Sequence, residues 1–139
     1  MKKKVSLISP VFNNAPTLPT LVQRIEHEVI AQRPDLDFEI IFVNDGSKDD
    51  SLDVLKTLAK ENPKIVIVNL SRNFGQIYAI LAGWRTATGD VSIDFSADLQ
   101  DPPSQCLNML AEWEKGYKVV VSYRQENHTT FLRKMTSKL

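Results

Sequence analysis

Five short apolar runs, rich in β-branched residues, constrain this chain more than any other feature of its sequence: Val5-Ser6-Leu7-Ile8-Ser9, Phe38-Glu39-Ile40-Ile41-Phe42-Val43, Ile65-Val66-Ile67-Val68, Val91-Ser92-Ile93-Asp94 and Lys118-Val119-Val120-Val121-Ser122. Runs of this length and composition read as buried strands. The segments between them carry apolar residues at helical spacing: Leu18, Leu21, Val22, Ile25 and Val29; then Leu52, Leu55 and Leu58; then Ile77, Ile80, Leu81 and Trp84; then Cys106, Leu110, Trp113 and Tyr117. Each offers one apolar stripe to a sheet. The alternation predicts an α/β fold, a mainly parallel central sheet with helices on both faces joined by right-handed crossovers. Helix boundaries are expected at Ser47 or Asp49 as a cap before Leu52, at Pro102-Pro103 in the first turn of the fourth helix, and at Gly89 and Gly116 as the residues that close the third and fourth.

A chain of 139 residues is the size of one domain with a real core. Lys plus Arg and Asp plus Glu both number 17, so no excess of either sign points to nucleic acid or to an acidic tail. The single cysteine, Cys106, excludes an internal disulfide and fits a reducing compartment, with the cytoplasm as the expected location. Its place on an apolar stripe makes it a small hydrophobe rather than a nucleophile. Met1-Lys2-Lys3-Lys4 is basic like the start of a signal peptide, but Val5 to Ser9 is too short for the apolar region that must come next. No run approaches the ~18 to 20 apolar residues that a membrane helix requires. Phe131 to Leu139 reads as helical and stops without a capping glycine, asparagine or proline, so residues 126–139 are expected to begin a C-terminal helical segment cut short at Leu139.

In open α/β sheets ligands bind beyond the carboxyl ends of the strands. Four segments directly follow apolar runs there: Pro10-Val11-Phe12-Asn13-Asn14, Asn44-Asp45-Gly46-Ser47, Ser71-Arg72-Asn73-Phe74-Gly75-Gln76 and Ser96-Ala97-Asp98-Leu99-Gln100-Asp101. Each combines amides, hydroxyls or charges with an aromatic or a glycine, which suits a polar, aromatic-based, phosphorylated ligand. Asp45 is either part of a turn and helix-cap sequence or a carboxylate that accepts the N3–H of uracil. Phe12 and Asn14 are either a loop aromatic on the core and a turn amide, or a base-stacking ring and a ribose contact. Arg72 either pairs with a surface carboxylate or meets a diphosphate. Asp98, with Gln100 two residues on, presents oxygens to one Mg2+ or Mn2+ ion whose shell phosphate and water complete; the alternative leaves Asp98 as a solvated loop residue, with Asp101 capping the next helix.

The loop after the first strand excludes other nucleotide folds. It holds neither Gly-x-Gly-x-x-Gly nor a glycine-rich stretch ending in Lys-Ser or Lys-Thr. His27 and His128 belong to no cysteine and histidine cluster of zinc-site spacing.

Together the four segments resemble glycosyltransferase family 2, of the GT-A fold, and within it the branch similar to dolichyl- and polyprenyl-phosphate sugar transferases. The marks of that branch are Ser71 to Gln76 and Ala97-Asp98-Leu99-Gln100-Asp101-Pro102-Pro103, and the more general mark is Val43-Asn44-Asp45-Gly46-Ser47. The resemblance implies a nucleotide-sugar-binding domain over residues 1–125 and an acceptor-side segment from 126. It implies that Pro10, Phe12, Asn14, Asp45, Ser47, Arg72, Gln76 and Ala97 hold the nucleotide sugar, that Asp98 and Gln100 hold the divalent metal, and that Asp98 and Arg124 serve catalysis, Arg124 on a phosphate. The implied reaction is inverting transfer from a nucleotide sugar, expected to be a UDP-sugar, to an acceptor such as polyprenyl phosphate at the cytoplasmic face of a membrane, in cell-envelope polysaccharide synthesis. A homo-oligomer would form through C-terminal parts. Departures stand at Asn14, where the family often has Glu, at Asn44 and Ser96, where it has Asp, and at Asn127, where a second basic residue is usual. Ser96-Ala97-Asp98 thus carries one carboxylate where the family has two. The rival readings are a non-catalytic nucleotide-binding or membrane-assembly module and a sugar nucleotidyltransferase, though the latter usually carries a glycine-rich basic loop after its first strand.

Overall fold

A computed structural model describes residues 1–122. Its sheet has four parallel strands in the order β3-β2-β1-β4: β1 Lys4–Val11, β2 Asp37–Asn44, β3 Ile65–Asn69 and β4 Val91–Asp94. The helices are α1 Leu18–Ile25, continued by a π-helical turn Glu26–Ile30, then α2 Ser51–Glu61, α3 Gln76–Thr86 and α4 Gln105–Glu114. The chain forms two compact units, Met1–Asn108 and one starting at Met109. The sheet lies wholly in the first.

β1 is the central strand. It pairs with β2 from Lys4↔Asp37 to Val11↔Asn44 and with β4 from Val5↔Val91 to Ile8↔Asp94. Val5 to Ser9 are all buried, as two-sided coverage of a parallel sheet demands. The edge strands are less buried: in β4 only Ile93 is buried, and β3 is half-buried after Ile65.

On one face Leu18, Leu21, Val22, Ile25 and Val29 form the expected buried stripe of α1 and its π-helical extension, and α1 packs against α2, whose Leu55 is fully buried. On the other face Ile8, Ile41 and Val43 pack with Ala79 of α3, flanked by Val66, Val68, Leu70, Ala82 and Ala87. The expected α3 stripe is corrected here. Ile77, Leu81 and Trp84 are exposed, and Ala79 and Gly83 meet the sheet instead. A Cβ on Gly83 would run into the Ile8 Cγ2 methyl and come within 3.3 Å of Val43 Cγ2. The helix lies so close to the sheet that size rather than hydrophobicity chooses the contact residues.

Further expectations are corrected. Gly89 lies beyond the Ala87 cap of α3 and has no left-handed φ; its small size matters because a Cβ there would lie 2.6 Å from Ser6 Oγ and 2.8 Å from Lys4 O. Lys118–Ser122, expected as a fifth strand, is irregular, with Val119 and Val121 about four-fifths exposed at 81% and 79%. β-branched composition favours extended backbone, but a strand exists only with a hydrogen-bonded neighbour, and among the described residues none pairs with this one. The starts of α2 and α4 also differ from expectation: Asp50, not Ser47 or Asp49, stands at the N-cap of α2, with Asp49 accepting the Ser51 amide at 2.9 Å from one residue further out, and Pro102 and Pro103 lie ahead of α4 rather than in its first turn, their carbonyls accepting the amides of Gln105 and Cys106. Gly116, at φ +105°, closes α4 as expected by donating to Trp113 O. Residues 123–139, including the expected segment 126–139, lie outside the described residues. Among the described residues no helix is long and apolar enough to cross a membrane.

A buried carboxylate ties the amino ends of the strands together. Glu39 of β2 accepts from Ser6 Oγ at 2.6 Å, from the Thr88 amide at 2.7 Å and from Lys4 Nζ at 3.1 Å. Burial pushes its carboxyl up, but these bonds outweigh burial and hold it below the ordinary glutamate value of 4.5.

This packing yields two testable outcomes. Gly83→Ala should cost about 1–3 kcal/mol by overpacking, exceeding the ~1 kcal/mol that alanine gains in helix propensity, whereas Ile77→Ala on the open side of α3 should stay within about 0.5 kcal/mol; urea titration compares them. Because the folded-state carboxyl of Glu39 is depressed, its contribution is complete above the unfolded-state value and is lost as pH falls through the folded one. Glu39→Gln should therefore cost about 1–3 kcal/mol near neutral pH, and its deficit should shrink as pH falls below the ordinary glutamate value of 4.5.

Candidate nucleotide site at the strand carboxyl ends

The chain leaves β1 for β2 and β3 on one side, then returns through α3 to β4 on the other side of β1. The reversal of strand order therefore falls between β1 and β4, beyond whose carboxyl ends such sheets usually bind ligands. A cavity of about 200 Å³ lies there, lined by Pro10, Val11, Phe12 and Asn14 from β1 and its loop, Ser96, Ala97 and Asp98 from the β4 loop, and Asp45 and Gln76 from the two remaining loops. Seven of the sequence-predicted residues thus meet in one place: Pro10, Phe12, Asn14, Asp45, Gln76, Ala97 and Asp98.

Much of the polarity in these loops is used to build the rim. Asn13 takes φ +54°, a left-handed conformation that asparagine tolerates, and its side-chain oxygen accepts the Lys48 amide at 2.8 Å. The Asn13 amide donates to Ser47 Oγ at 3.0 Å, the Asn14 amide to Ser51 Oγ at 2.9 Å, and the Ala15 amide to Asp49 Oδ2 at 3.1 Å. The bonds from Ser51 hold the Asp49 carboxyl below its ordinary range despite the opposing pull of desolvation. Asn14 Oδ1 accepts the Phe12 amide, so the amide side chain shapes its own turn. Thr17 Oγ1 donates to Ala97 O at 2.8 Å and joins the β4 loop to the start of α1.

The exposed groups are few. Phe12 is 45% exposed at the cavity, a ring open to stacking. Asp98 is exposed; its Oδ1 accepts the Gln100 amide at 3.0 Å across Leu99, which sits in the left-handed region at φ +62°. A bulky residue there is strained, as at many ligand loops. Among the described residues no three of His, Cys, Asp and Glu gather as a metal cage. The exposed carboxylate at this cavity is Asp98, which could offer a cation one hard ligand and would suit an ion that takes most of its oxygens from phosphate and water.

Ser47, Arg72 and Gln100 do not line the cavity. Ser47 is a rim latch, and the Arg72 guanidinium stacks 4.2 Å from the centre of the Phe74 ring. Arg124 lies outside the described residues. Asn73, Gly46 and Thr17 have no site role in the sequence reading, yet they hold the loops together. A glycine between Asp45 and Ser47 is a readable turn signal, whereas nothing marks Thr17.

Cys106, 4% exposed, is the buried small residue expected, and desolvation pushes its thiol up to about 12. Its alkylation near neutral pH should be slower than in the urea-unfolded chain by about two orders of magnitude or more, measured by mass spectrometry of timed quenches.

A doubly wound parallel sheet with this cavity at its switch point is the architecture of GT-A nucleotide-sugar enzymes. The family model for glycosyl transferase family 2 matches residues 6–138, and the chain belongs to that family. It is 40% identical over 139 residues to the undecaprenyl-phosphate 4-deoxy-4-formamido-L-arabinose transferase of Enterobacter sp. (strain 638), covering 98% of this chain and 41% of that protein. It is 39% identical over 133 residues to an uncharacterised glycosyltransferase, YkcC, of Bacillus subtilis (strain 168), covering 95% of this chain and 41% of that protein. The chain thus spans well under half the length of these relatives. Among solved structures, the mannosyltransferase PcManGT from Pyrobaculum calidifontis, in complex with GDP-Man and Mn2+, superposes with a TM-score of 0.67 at 23% identity, over 81% of this chain and 32% of that one. TarS 1-349 from S. aureus, in complex with UDP-GlcNAc, gives 0.65 at 18% identity, over 83% and 32%. At these identities the likeness is one of fold.

Proposed function

We propose that this chain is the donor-binding part of a glycosyltransferase that moves a sugar from a nucleotide sugar, tested first as a UDP-sugar, to polyprenyl phosphate at the cytoplasmic face of a membrane. The observation that carries the reading is the cavity at the β1/β4 switch point, where an exposed ring and an exposed carboxylate face one space in a family 2 chain. Support for the acceptor comes from the Enterobacter relative, an undecaprenyl-phosphate sugar transferase by name.

In this reading Phe12 stacks on the base, Pro10, Asn14 and Ala97 border the nucleoside, and Arg72 and Gln76 approach the diphosphate from the β3–α3 loop. Asp98, helped by Gln100, would hold Mg2+ or Mn2+. When bound, that ion supplies neutralising charge for the leaving diphosphate. Chemistry is an in-line displacement with inversion. An acceptor phosphate oxygen forms the new bond to the anomeric carbon, and the bond from that carbon to the diphosphate oxygen breaks. A phosphate acceptor is already anionic, so positioning replaces the general base that a hydroxyl would need. Arg124 is assigned to a phosphate by family resemblance.

Thermal unfolding with UDP, CDP, GDP and ADP, each with and without Mn2+, tests the site. Ligand at ~100 times its dissociation constant should stabilise by about 2.7 kcal/mol, a shift of several degrees, and Asp98→Ala should abolish the metal-dependent part. Absence of a shift with every nucleotide, in folded protein, would overturn the donor site. Nucleotide binding with no sugar transfer to polyprenyl phosphate by the full-length protein would instead favour a non-catalytic module, the reading that Ser96 in place of a second carboxylate supports.

A further inference from the structure

Thr17 stands at the N-cap of α1, where a threonine hydroxyl ordinarily accepts an amide of the first helical turn. Its backbone is helical rather than extended, at φ −94° and ψ −20°, and its side chain caps nothing. Oγ1 instead donates to Ala97 O at 2.8 Å and to Asn14 O at 3.1 Å. A hydroxyl has one proton, so the shorter bond, to Ala97, is the stronger share. Asn14 lines the cavity on the β1 side and Ala97 on the β4 side, whereas Thr17 is not part of the lining. One hydroxyl outside the cavity thus ties two of its walls together. The wall tied on the β4 side is the one that carries Asp98. Ala97 is 2% exposed, Asp98 beside it is exposed, and Leu99 holds a left-handed φ of +62°, which a bulky residue keeps only when its neighbours are fixed.

We propose that Thr17 is a positioning residue for the divalent cation: its hydroxyl sets the separation between the wall of Phe12 and Asn14 and the wall of Asp98, so that the Asp98 carboxylate and a bound diphosphate meet one ion. The inference rests on the donor-site reading and extends it to a residue outside the cavity lining. The Ala97 carbonyl belongs to the same planar peptide group as the Asp98 nitrogen, so a bond to that carbonyl fixes the direction from which the Asp98 side chain leaves the backbone. Asp98 Oδ1 also accepts the Gln100 amide at 3.0 Å, which carries the constraint from the peptide to the carboxylate. Precision matters here because a site with two acids can keep its ion on one when the other shifts, and Ser96 stands where the second would be. A small, hard cation holds its oxygens at about 2.0–2.1 Å, and a supporting bond behind a ligand decides whether the ligand reaches that distance.

The test is Thr17→Val, which keeps the branched shape and removes the hydroxyl, beside Thr17→Ser, which keeps the hydroxyl. Calorimetry well below the melting temperature gives the dissociation constant of whichever of UDP, CDP, GDP and ADP the wild type binds most tightly, once in EDTA and once in Mn2+. In Thr17→Val the affinity without metal should stay within about twofold of wild type, while the gain on adding Mn2+ falls by about tenfold or more. Thr17→Ser should recover most of that gain. Asp98→Ala should abolish it, and Thr17→Val added to Asp98→Ala should cost nothing further, because both act through one contact. Thr17→Ala should repeat the pattern, and it decides the matter if the valine variant does not fold. An equal loss with and without Mn2+, an undiminished gain, or a serine variant no better than the valine one overturns the proposal. So does a wild type that binds nucleotide with no gain from Mn2+. A wild type that binds no nucleotide in either condition overturns the donor-site reading and the proposal together, so wild-type binding tells the two failures apart.

Discussion

The position of β1 at the centre of the sheet is the constraint on which the other features depend. It is paired on both sides and buried; α3 packs on it and on β2, while α2 packs on β2 and β3 and carries α1 against it. Because the chain first builds outward to β3 and then crosses back to β4, the reversal falls beside β1. The crevice at Phe12 and Asp98 is a product of strand order before it is a product of side-chain chemistry. Hydrophobic burial stabilises that order at roughly 25 cal/mol per Å² of apolar surface, and the parallel ladders use the backbone groups that burial would otherwise leave unpaired.

The two ends of the sheet resolve the same electrostatic problem in different ways. At the amino ends a buried carboxylate, Glu39, is met by a lysine, a hydroxyl and an amide. At the carboxyl ends the Asp45 carboxylate is met by two backbone amides and a side-chain amide, all of them uncharged. Glu39 joins β2 to the turn before β4, while Asp45 joins the β2 loop to the β3–α3 loop. Both are buried acids used as fasteners between elements distant in sequence, and a buried acid is stable only when bonds of this kind are complete.

The parts of the fold that depend on hydrophobic periodicity are legible in the sequence. The four strands from Val5 to Asp94, the α1 stripe and the class of sheet come from apolar spacing, and the crevice residues come from their place after each strand. The features that escape such a reading are decided by quantities that spacing does not carry. α3 turns its small residues, Ala79 and Gly83, to the sheet because interlayer distance selects volume, so an apolar count favours the wrong face. Lys118–Ser122 has strand composition, but pairing is a property of neighbours. Asn73 and Thr17 act across loops far apart in the chain, and only coordinates bring their partners near. Asp45 and Ser47 stand out in the sequence as polar residues just past a strand; which atoms they bond is a matter of geometry.

The rim also explains why the site holds so few exposed reactive groups. Asn13, Ser47, Asp49, Ser51 and Thr17 bond backbone atoms of neighbouring loops, which fixes the loops without help from a ligand. A preformed site spares the ordering cost that a mobile loop would set against binding. In the proposed donor site, specificity would rest on the shape these latches impose on Phe12, Gln76 and Asp98 as much as on the identity of those residues. With Ser96 in place of a second acid, the cavity presents Asp98 as the carboxylate exposed to a cation, so most of the oxygens around such an ion would come from the ligand itself. Metal and nucleotide affinity are in that case coupled: each would bind weakly alone and more tightly with the other, by the same factor in both directions.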